Sequence, residues 1–589
     1  MSIVMEHEAL IIGSGFGGGT MCARLSKRWP GKVLLLERGK AYPKGRFPRS
    51  PNDLASNFWS PADDKSVRPS HVLQQKTNKN MLLGMFDVRS FPRMDTVTCA
   101  GLGGGSLIYA NVFLRPSARL FEQNWPKGLN LQTLAPYYDV AQSVLGARTI
   151  PPHRDENDTR FILRTQAFQR FAAEQNLPSK LADIAVFFGH DYSYANQPQP
   201  SEIGLQEKNR YGAVQTSCTY CGECDIGCNV HAKNSTDLNY IHAAREYHGA
   251  KVQTQTQVNW IIPLNAAGED DATAHGEHGY RVYYVDYSSN QPGSVTTQRV
   301  VVSAGTLGSN ELLLRCRDVF HSLPAISPRL GYRFSGNGDF LSFVLDGKKE
   351  INSTYGPVIT QYTDHHLFEN HDPDRAFLLE DASVPTHAGW AMATLEPVLD
   401  PWDRFKILLS VVKEAICSLY PGHNSRRMGG LINQLLSQDI TQYSSVLLCM
   451  GIDKSDGRFS LNPAGFLDLD WPQKTSQKLY DAILAIGERF KTFSGGRYFL
   501  PMPNWLWPMR HNVSVHPLGG CTLADSPSEG VVSAGEQDRG QVFGYTGLYV
   551  ADGSIIPGAL GANPAATITA LSEWIAHGIT GQQPDSSLR

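Results

Sequence analysis

The stretch from Ala9 to Glu37 limits most strongly what this chain can fold into. Ala9-Leu-Ile-Ile12 reads as a short apolar strand, and Gly13-Ser-Gly15-Phe16-Gly-Gly18 follows it directly. Residues 20–29 read as a helix with no early breaker, and Val33-Leu-Leu-Leu36 as a second strand that ends at Glu37. Strand, glycine turn, helix and strand in this order form the unit that cradles the diphosphate of a dinucleotide. Gly13 permits the tight turn, Gly15 lets the backbone approach a pyrophosphate, and Gly18 lets helix and strand pack closely. Glu37 lies 19 residues beyond Gly18, where a carboxylate can accept hydrogen bonds from ribose hydroxyls. The stretch therefore predicts an ADP-binding α/β unit.

At 589 residues the chain is too long for one simple core, so two joined domains are expected. A second glycine turn, Gly101-Leu-Gly103-Gly104-Gly105-Ser106, continues to Asn111 but lacks the strand–helix register of another dinucleotide site. Its apolar flanks, Val97 before and Leu107 and Ile108 after, predict a backbone laid flat against a planar ligand. Residues 40–92 show no clear period and read as an excursion. Helices are expected over 134–145, 161–175 and 309–315, and strands over 251–258, 281–287 and 299–303. From 346 to 510 alternating segments and aromatics predominate. Two stretches there, 402–419 and 501–509, read as lid-like; they line an apolar mouth, touch a membrane surface, or pack as ordinary core and rim.

Near the C-terminal end the chain reads His511-Asn-Val-Ser-Val-His516-Pro-Leu-Gly-Gly-Cys521, and later Gly561-Ala-Asn563-Pro564-Ala-Ala-Thr. Asn563 has the character of a helix N-cap and Pro564 of a first helical residue, with a helix running over 565–576. A helix entered this way points bare N–H groups at what lies in front, which suits a group that gains negative charge on reduction. His516 is a candidate proton-transfer group or, alternatively, a structural loop histidine.

The formal net charge of −3 gives no reason to expect a nucleic acid or an anionic membrane as partner. The first residues lack the basic start and apolar run of an export signal, and no run of about 18 apolar residues is long enough to span a bilayer. A cytoplasmic protein, with at most peripheral membrane contact, is expected. Four of the ten cysteines, Cys218, Cys221, Cys224 and Cys228, fall within eleven residues. In a reducing compartment this suggests metal or redox chemistry ahead of structural disulfides. The C-x2-C-x2-C-x3-C spacing is that of bacterial iron–sulfur ferredoxins, and zinc and uncoordinated thiols or disulfides are the other readings.

The two glycine turns, Val300 to Gly305, His516-Pro-Leu-Gly-Gly-Cys521, Tyr549-Val-Ala-Asp552-Gly-Ser-Ile-Ile-Pro557 and Asn563-Pro-Ala-Ala-Thr-Ile-Thr-Ala-Leu571 together resemble the glucose–methanol–choline oxidoreductases. These are FAD enzymes that oxidise alcohols, and the resemblance is strongest to the cholesterol-oxidase-like branch. It implies an α/β fold: a Rossmann-type FAD-binding domain (1–45, 93–120, 229–345 and 511–589) with an inserted mixed α+β substrate domain (46–92, 121–228 and 346–510). It implies that Gly13, Gly15, Phe16, Gly18 and Glu37 hold the ADP half of FAD and that Val258 meets adenine through its backbone. Gly103, Gly104, Gly105, Ser106 and Asn111 would lie along the isoalloxazine. Asp552 and Gly553 would meet the pyrophosphate–ribityl region, and Asn563 and Pro564 the flavin edge.

By the same resemblance His516 and Asn563 form the catalytic pair, Asn563 both capping its helix and orienting the alcohol oxygen. Glu380 falls where sterol oxidases carry a catalytic glutamate, with a surface carboxylate as the alternative. The implied reaction is hydride transfer from an apolar alcohol, sterol-like or long-chain, to flavin N5. No histidine lies between Gly101 and Asn111, which excludes a histidyl–flavin link there. The chain also resembles cytochrome-linked glucose and gluconate dehydrogenases, which carry a cysteine group in this segment; in the glucose enzyme three cysteines hold a [3Fe–4S] cluster. That implies iron–sulfur ligation by Cys224 and Cys228 with Cys218 or Cys221, and a protein or quinone as electron acceptor. The remaining alternatives are an oxygen-using oxidase without a cluster, a lyase or decarboxylase of the same family, and a non-catalytic flavin electron carrier.

Overall fold

The computed structural model describes residues 5–60, 81–153, 155–158, 160–189, 203–386, 441–502 and 510–589, with single positions at 406, 409, 410, 412, 413, 416 and 505. The lid-like stretches 402–419 and 501–509 lie for the most part outside the described residues.

Five parallel strands form the first sheet: β1 (Ala9–Ile12), β2 (Val33–Leu36), β3 (Lys251–Gln253), β4 (Val300–Val302) and β5 (Leu548–Val550). Their order is 3-2-1-4-5, with every pairing parallel. β1, β2 and β4 are buried along their whole length, which is why they read as unbroken apolar runs without alternation. Strand order reverses beside β1, between β2 and β4. In such sheets a ligand binds in the crevice at that point, outside the carboxyl ends of the strands. Helices α1 (Phe16–Arg28), α2 (Tyr240–His248), α3 (Gly305–Asp318) and α4 (Ala565–Thr580) surround the sheet, with α1 packed on both α2 and α4.

The helix expected over 20–29 starts at Phe16, so the fingerprint glycines after Gly15 are its first turn. The single strand expected over 251–258 is two. Lys251–Gln253 joins the parallel sheet, and Thr256–Pro263 opens an antiparallel meander with Tyr280–Asp286 and Gln291–Thr297. Its Thr/Gln alternation gave no sign of the break, which falls where Gln255 takes a positive φ of 55°.

A second, six-stranded antiparallel sheet runs in the order Tyr498–Pro501, Phe340–Leu345, Ser445–Gly451, Phe377–Ala382, Gln361–His365, Ser179–Leu181. Helices Leu163–Glu174 and Gln477–Ser494 pack on it. The strand Phe340–Leu345, grouped by sequence with the cofactor-binding part, thus pairs into this sheet. The expected boundary at 92/93 falls inside the hairpin Phe86–Phe91/Met94–Cys99.

Candidate active site

A single cavity of about 1190 Å3 lies at the crevice of the parallel sheet and extends to the six-stranded sheet. At one end it is lined by Gly13, Gly15, Phe16 and Glu37, at the other by Leu341, Phe343, Val446 and Leu448. Gly104, Gly105, Val258, His516, Asp552, Gly553, Asn563 and Pro564 line it between.

The cradle is made by close backbone contact. Gly13 has φ 97°, and a Cβ there would meet the Ser303 carbonyl oxygen at 2.2 Å. A Cβ on Gly18 would meet the Gly13 carbonyl oxygen at 2.0 Å, and one on Gly104 the Gly15 Cα at 2.6 Å. The two glycine turns therefore touch. α1 has no side-chain cap and no acidic residue in its first turn, so bare N–H groups face the cavity, as a diphosphate requires. Glu37 Oε2 accepts from the Ser14 N–H at 3.1 Å and Oε1 from the Gly39 N–H at 2.8 Å. Burial pushes its pKa up. At Val258 the strand register shifts and Asn259 bulges, which leaves backbone facing the cavity.

Other expected cofactor residues act from behind the wall. Ser106 is fully buried, its hydroxyl donating to the Gly103 carbonyl at 2.6 Å and accepting from the Thr236 N–H at 3.0 Å. Gly103, at φ 119°, does not line the cavity; its N–H donates to Ser14 Oγ at 2.9 Å. Asp552 reaches the cavity, but its carboxylate accepts from Gly305 N–H at 3.0 Å and Ser554 N–H at 2.8 Å, so it braces the start of α3. Asn111 is fully buried at φ 70°, and neither atom of its amide has a protein partner. A buried amide left so costs about 1–3 kcal/mol per group, which fits a residue that meets a bound ligand.

His516 Nδ1 lies 2.8 Å from Asp339 Oδ1. Asp339 Oδ2 accepts from the Val515 N–H at 2.9 Å, the His516 N–H at 3.0 Å and the Ser514 hydroxyl at 3.1 Å. Asp339 was not singled out from sequence. Its one signal is the turn Ser335-Gly-Asn-Gly-Asp339, in which Asn337 and Gly338 both take positive φ.

Asn563 does not cap α4, contrary to expectation. Pro564 already has helical angles (φ −77°, ψ −11°), no side-chain cap bond is made, and Asn563 Oδ1 has no partner. Its amide is turned instead toward the six-stranded sheet, Nδ2 lying 3.5 Å from Glu380 Oε2. Glu380 is no surface carboxylate: it is fully buried, and burial pushes its pKa well up. Strand alternation puts Leu378, Glu380 and Ala382 on one face, of which Ala382 lines the cavity, while Asp381 turns the other way to Arg164. Glu380 sits in register with Leu448, and Leu448 with Leu341, but Glu380 itself does not line the cavity; its carboxyl lies behind Asn563, which does.

The four clustered cysteines are free thiols, and all four line one small pocket with Lys233. Cys218 and Cys224 are buried and Cys221 is exposed. Lys233 Nζ donates to the Cys224 carbonyl at 2.7 Å and to the Leu107 carbonyl at 3.0 Å, linking this pocket to the second glycine turn. Among the described residues no group of three or more His, Cys, Asp or Glu side chains converges on a single metal-ion position. Nor is any described helix long and apolar enough to cross a membrane.

A 3-2-1-4-5 parallel sheet with a glycine cradle at the point where strand order reverses is the architecture of a Rossmann-type dinucleotide-binding domain. Family models described as GMC oxidoreductase match residues 199–316 and 505–572. The cholesterol oxidase of Acinetobacter baumannii is 26% identical, over 96% of this chain and 93% of the relative. That of Mycobacterium tuberculosis is 27% identical, over 98% and 93%. A long-chain-alcohol oxidase of Arabidopsis thaliana is 20% identical over 98% of this chain and 67% of its own. Among solved structures, a fungal aryl-alcohol oxidase superposes with a TM-score of 0.57 at 15% identity, over 98% of this chain and 99% of that one. The chain thus carries the N- and C-terminal GMC oxidoreductase family domains and is similar to cholesterol oxidases over nearly its full length.

Proposed function

We propose that this protein oxidises an apolar alcohol, a sterol or a long-chain alcohol, with His516 and Asn563 handling the alcohol oxygen and Glu380 beside them. The observation that carries the reading is the shared cavity: the glycine cradle, His516 and Asn563 all face one space whose far floor is Leu341, Phe343, Val446 and Leu448. The relatives named cholesterol oxidase and long-chain-alcohol oxidase support the substrate class.

FAD, when bound, supplies the hydride acceptor. Loss of hydride from the carbinol carbon makes the O–H strongly acidic, so the proton must be taken as the C–H bond breaks. His516 is placed to take it at Nε2, because Nδ1 is engaged by Asp339. The Asn563 amide holds the oxygen in line. Glu380, carried neutral by its burial, backs the Asn563 amide from behind the cavity wall. Gly13 to Phe16 and the first turn of α1 bind the diphosphate, Glu37 the ribose and the Val258 backbone the adenine. Gly104 and Gly105, which line the cavity, would lie along the flavin, with the unpartnered Asn111 amide just behind them. The division into an FAD-binding part and an inserted substrate part belongs to the same reading, with Phe340–Leu345 moved to the substrate side where it pairs.

An iron–sulfur cluster, when bound, would be held by Cys224 and Cys228 with Cys218 or Cys221 and would supply a one-electron relay to a protein or quinone acceptor; the side chains as they stand do not converge on one ion position. Four free thiols around one pocket, tied by Lys233 to the flavin-side turn, support it. Iron analysis and a visible spectrum of anaerobically purified protein test this part. Iron with broad absorbance under the flavin bands is expected; a flavin spectrum without iron contradicts it and leaves oxygen as the acceptor. The alcohol chemistry is tested separately by incubation with cholesterol and with hexadecanol. The corresponding ketone or aldehyde is expected from one of them, reduced at least ~100-fold in His516→Ala, the usual scale of a lost general base. No carbonyl product from either alcohol contradicts the reading.

A further inference from the structure

The turn Ser335–Asp339 reaches both members of the pair at once. From one end Asp339 accepts the four bonds that fix the Ser514–His516 segment and the imidazole. From its middle, Asn337 holds the loop that leads into Asn563: Oδ1 accepts from the Leu560 N–H at 2.8 Å and the Gly561 N–H at 3.0 Å, and Nδ2 donates to the Ala562 carbonyl at 2.9 Å. The turn is itself pinned. Buried Asp453 accepts from the Ser335 hydroxyl at 2.8 Å, the Gly336 N–H at 2.9 Å and the Gly338 N–H at 3.3 Å. A larger residue at Gly338 is barred, since a Cβ there would meet the Gly451 carbonyl oxygen at 2.5 Å.

We propose, building on the alcohol-oxidation reading above, that this turn is the positioning element of the catalytic pair: Asp339 sets the tautomer and direction of His516, and Asn337 sets the place of Asn563. Backbone N–H groups can only donate, so Oδ2, facing two of them and a hydroxyl, is an acceptor. A carboxylate with both oxygens accepting leaves Nδ1 as the N–H donor. The neutral imidazole then carries its lone pair on Nε2, the nitrogen free to meet an alcohol O–H. Neither Asp339 nor Asn337 need touch the substrate; each acts through the residue it holds. Because both hang on five consecutive residues, the spacing between proton acceptor and oxygen-orienting amide is set by one rigid loop.

Asp339→Asn is the discriminating change. The Asn oxygen keeps the Val515 and His516 N–H groups, and its NH2 then faces Nδ1, forcing that nitrogen to accept and the proton onto Nε2. Flavin bleaching is followed anaerobically with cholesterol or hexadecanol in wild type, Asp339→Asn, His516→Ala and the double variant. In parallel, proton spectra of 15N-histidine-labelled protein report the Nδ1–H directly, with no substrate present. Expected are a low-field Nδ1–H resonance lost in both single variants, and bleaching slowed ~10⁴-fold by Asp339→Asn, the scale of a wrong-tautomer histidine. In the His516→Ala background Asp339→Asn should cost nothing further, since residues acting as a unit are not additive. Asn337→Ala should keep the resonance yet slow bleaching. A resonance that survives Asp339→Asn, or full additivity of the two changes, overturns the proposal while leaving His516 catalytic. Unimpaired bleaching in His516→Ala overturns instead the alcohol-oxidation role given to His516.

Discussion

Glu380 shows how one residue in an apolar setting couples stability to pH. It is fully buried, Oε1 has no partner, and the nearby carboxylates Asp381 and Asp339 add to the burial that raises its pKa. The native protein thus holds a proton that the unfolded chain has released above the ordinary glutamate range. Stability from this group therefore falls as pH rises past about 4.3, the unfolded value. Glu380→Gln should accordingly melt higher than wild type at pH 8, by about 2 °C or more, with the gain shrinking toward pH 4. Calorimetry at the two pH values checks this. A melting difference independent of pH would show that Glu380 is charged in the native state.

At the scale of elements, the two glycine turns carry the cofactor and fail in different ways. Gly104 takes φ 52° and stands against Gly15, whereas a Cβ on Gly105 would meet no protein atom within 4 Å. Gly104→Ala should therefore disturb the fold of the cradle and lower the melting temperature even without FAD. Gly105→Ala should melt normally as apoprotein and lose FAD affinity alone, because its Cβ enters the ligand space. FAD titration with and without melting analysis separates the two; equal effects on both would contradict the cradle as described. Lys233 is the other joint between elements. Lys233→Met would leave the Leu107 and Cys224 carbonyls without their donor, at a cost of about 1–3 kcal/mol. Denaturant unfolding should show that loss, and iodoacetamide should reach Cys224 faster.

Across the whole molecule, what could be read from sequence was what is local. The cradle from Ala9 to Glu37 was legible because its strand, turn and helix are consecutive, and His516 and Asn563 because each lies in a short Gly- and Pro-marked segment. Asp339 was not, since its partner His516 is 177 residues away and nothing near either of them marks the pairing. The apolar chamber was hidden for the same reason: Tyr498–Pro501 pairs with Phe340–Leu345 across more than 150 residues, and neither strand announces its neighbour. Asn563 misled as a cap because N-cap preference speaks only for local backbone bonds. Here the amide is drawn toward a buried carboxyl on a different sheet. The account rests on hydride leaving an apolar alcohol within this cavity. Stopped-flow flavin reduction under anaerobic conditions, comparing an alcohol with its analogue deuterated at the carbinol carbon, tests that most directly. The account predicts flavin bleaching slowed by a primary isotope effect and suppressed in His516→Ala. A flavin that stays oxidised with sterol and long-chain alcohols alike would contradict it.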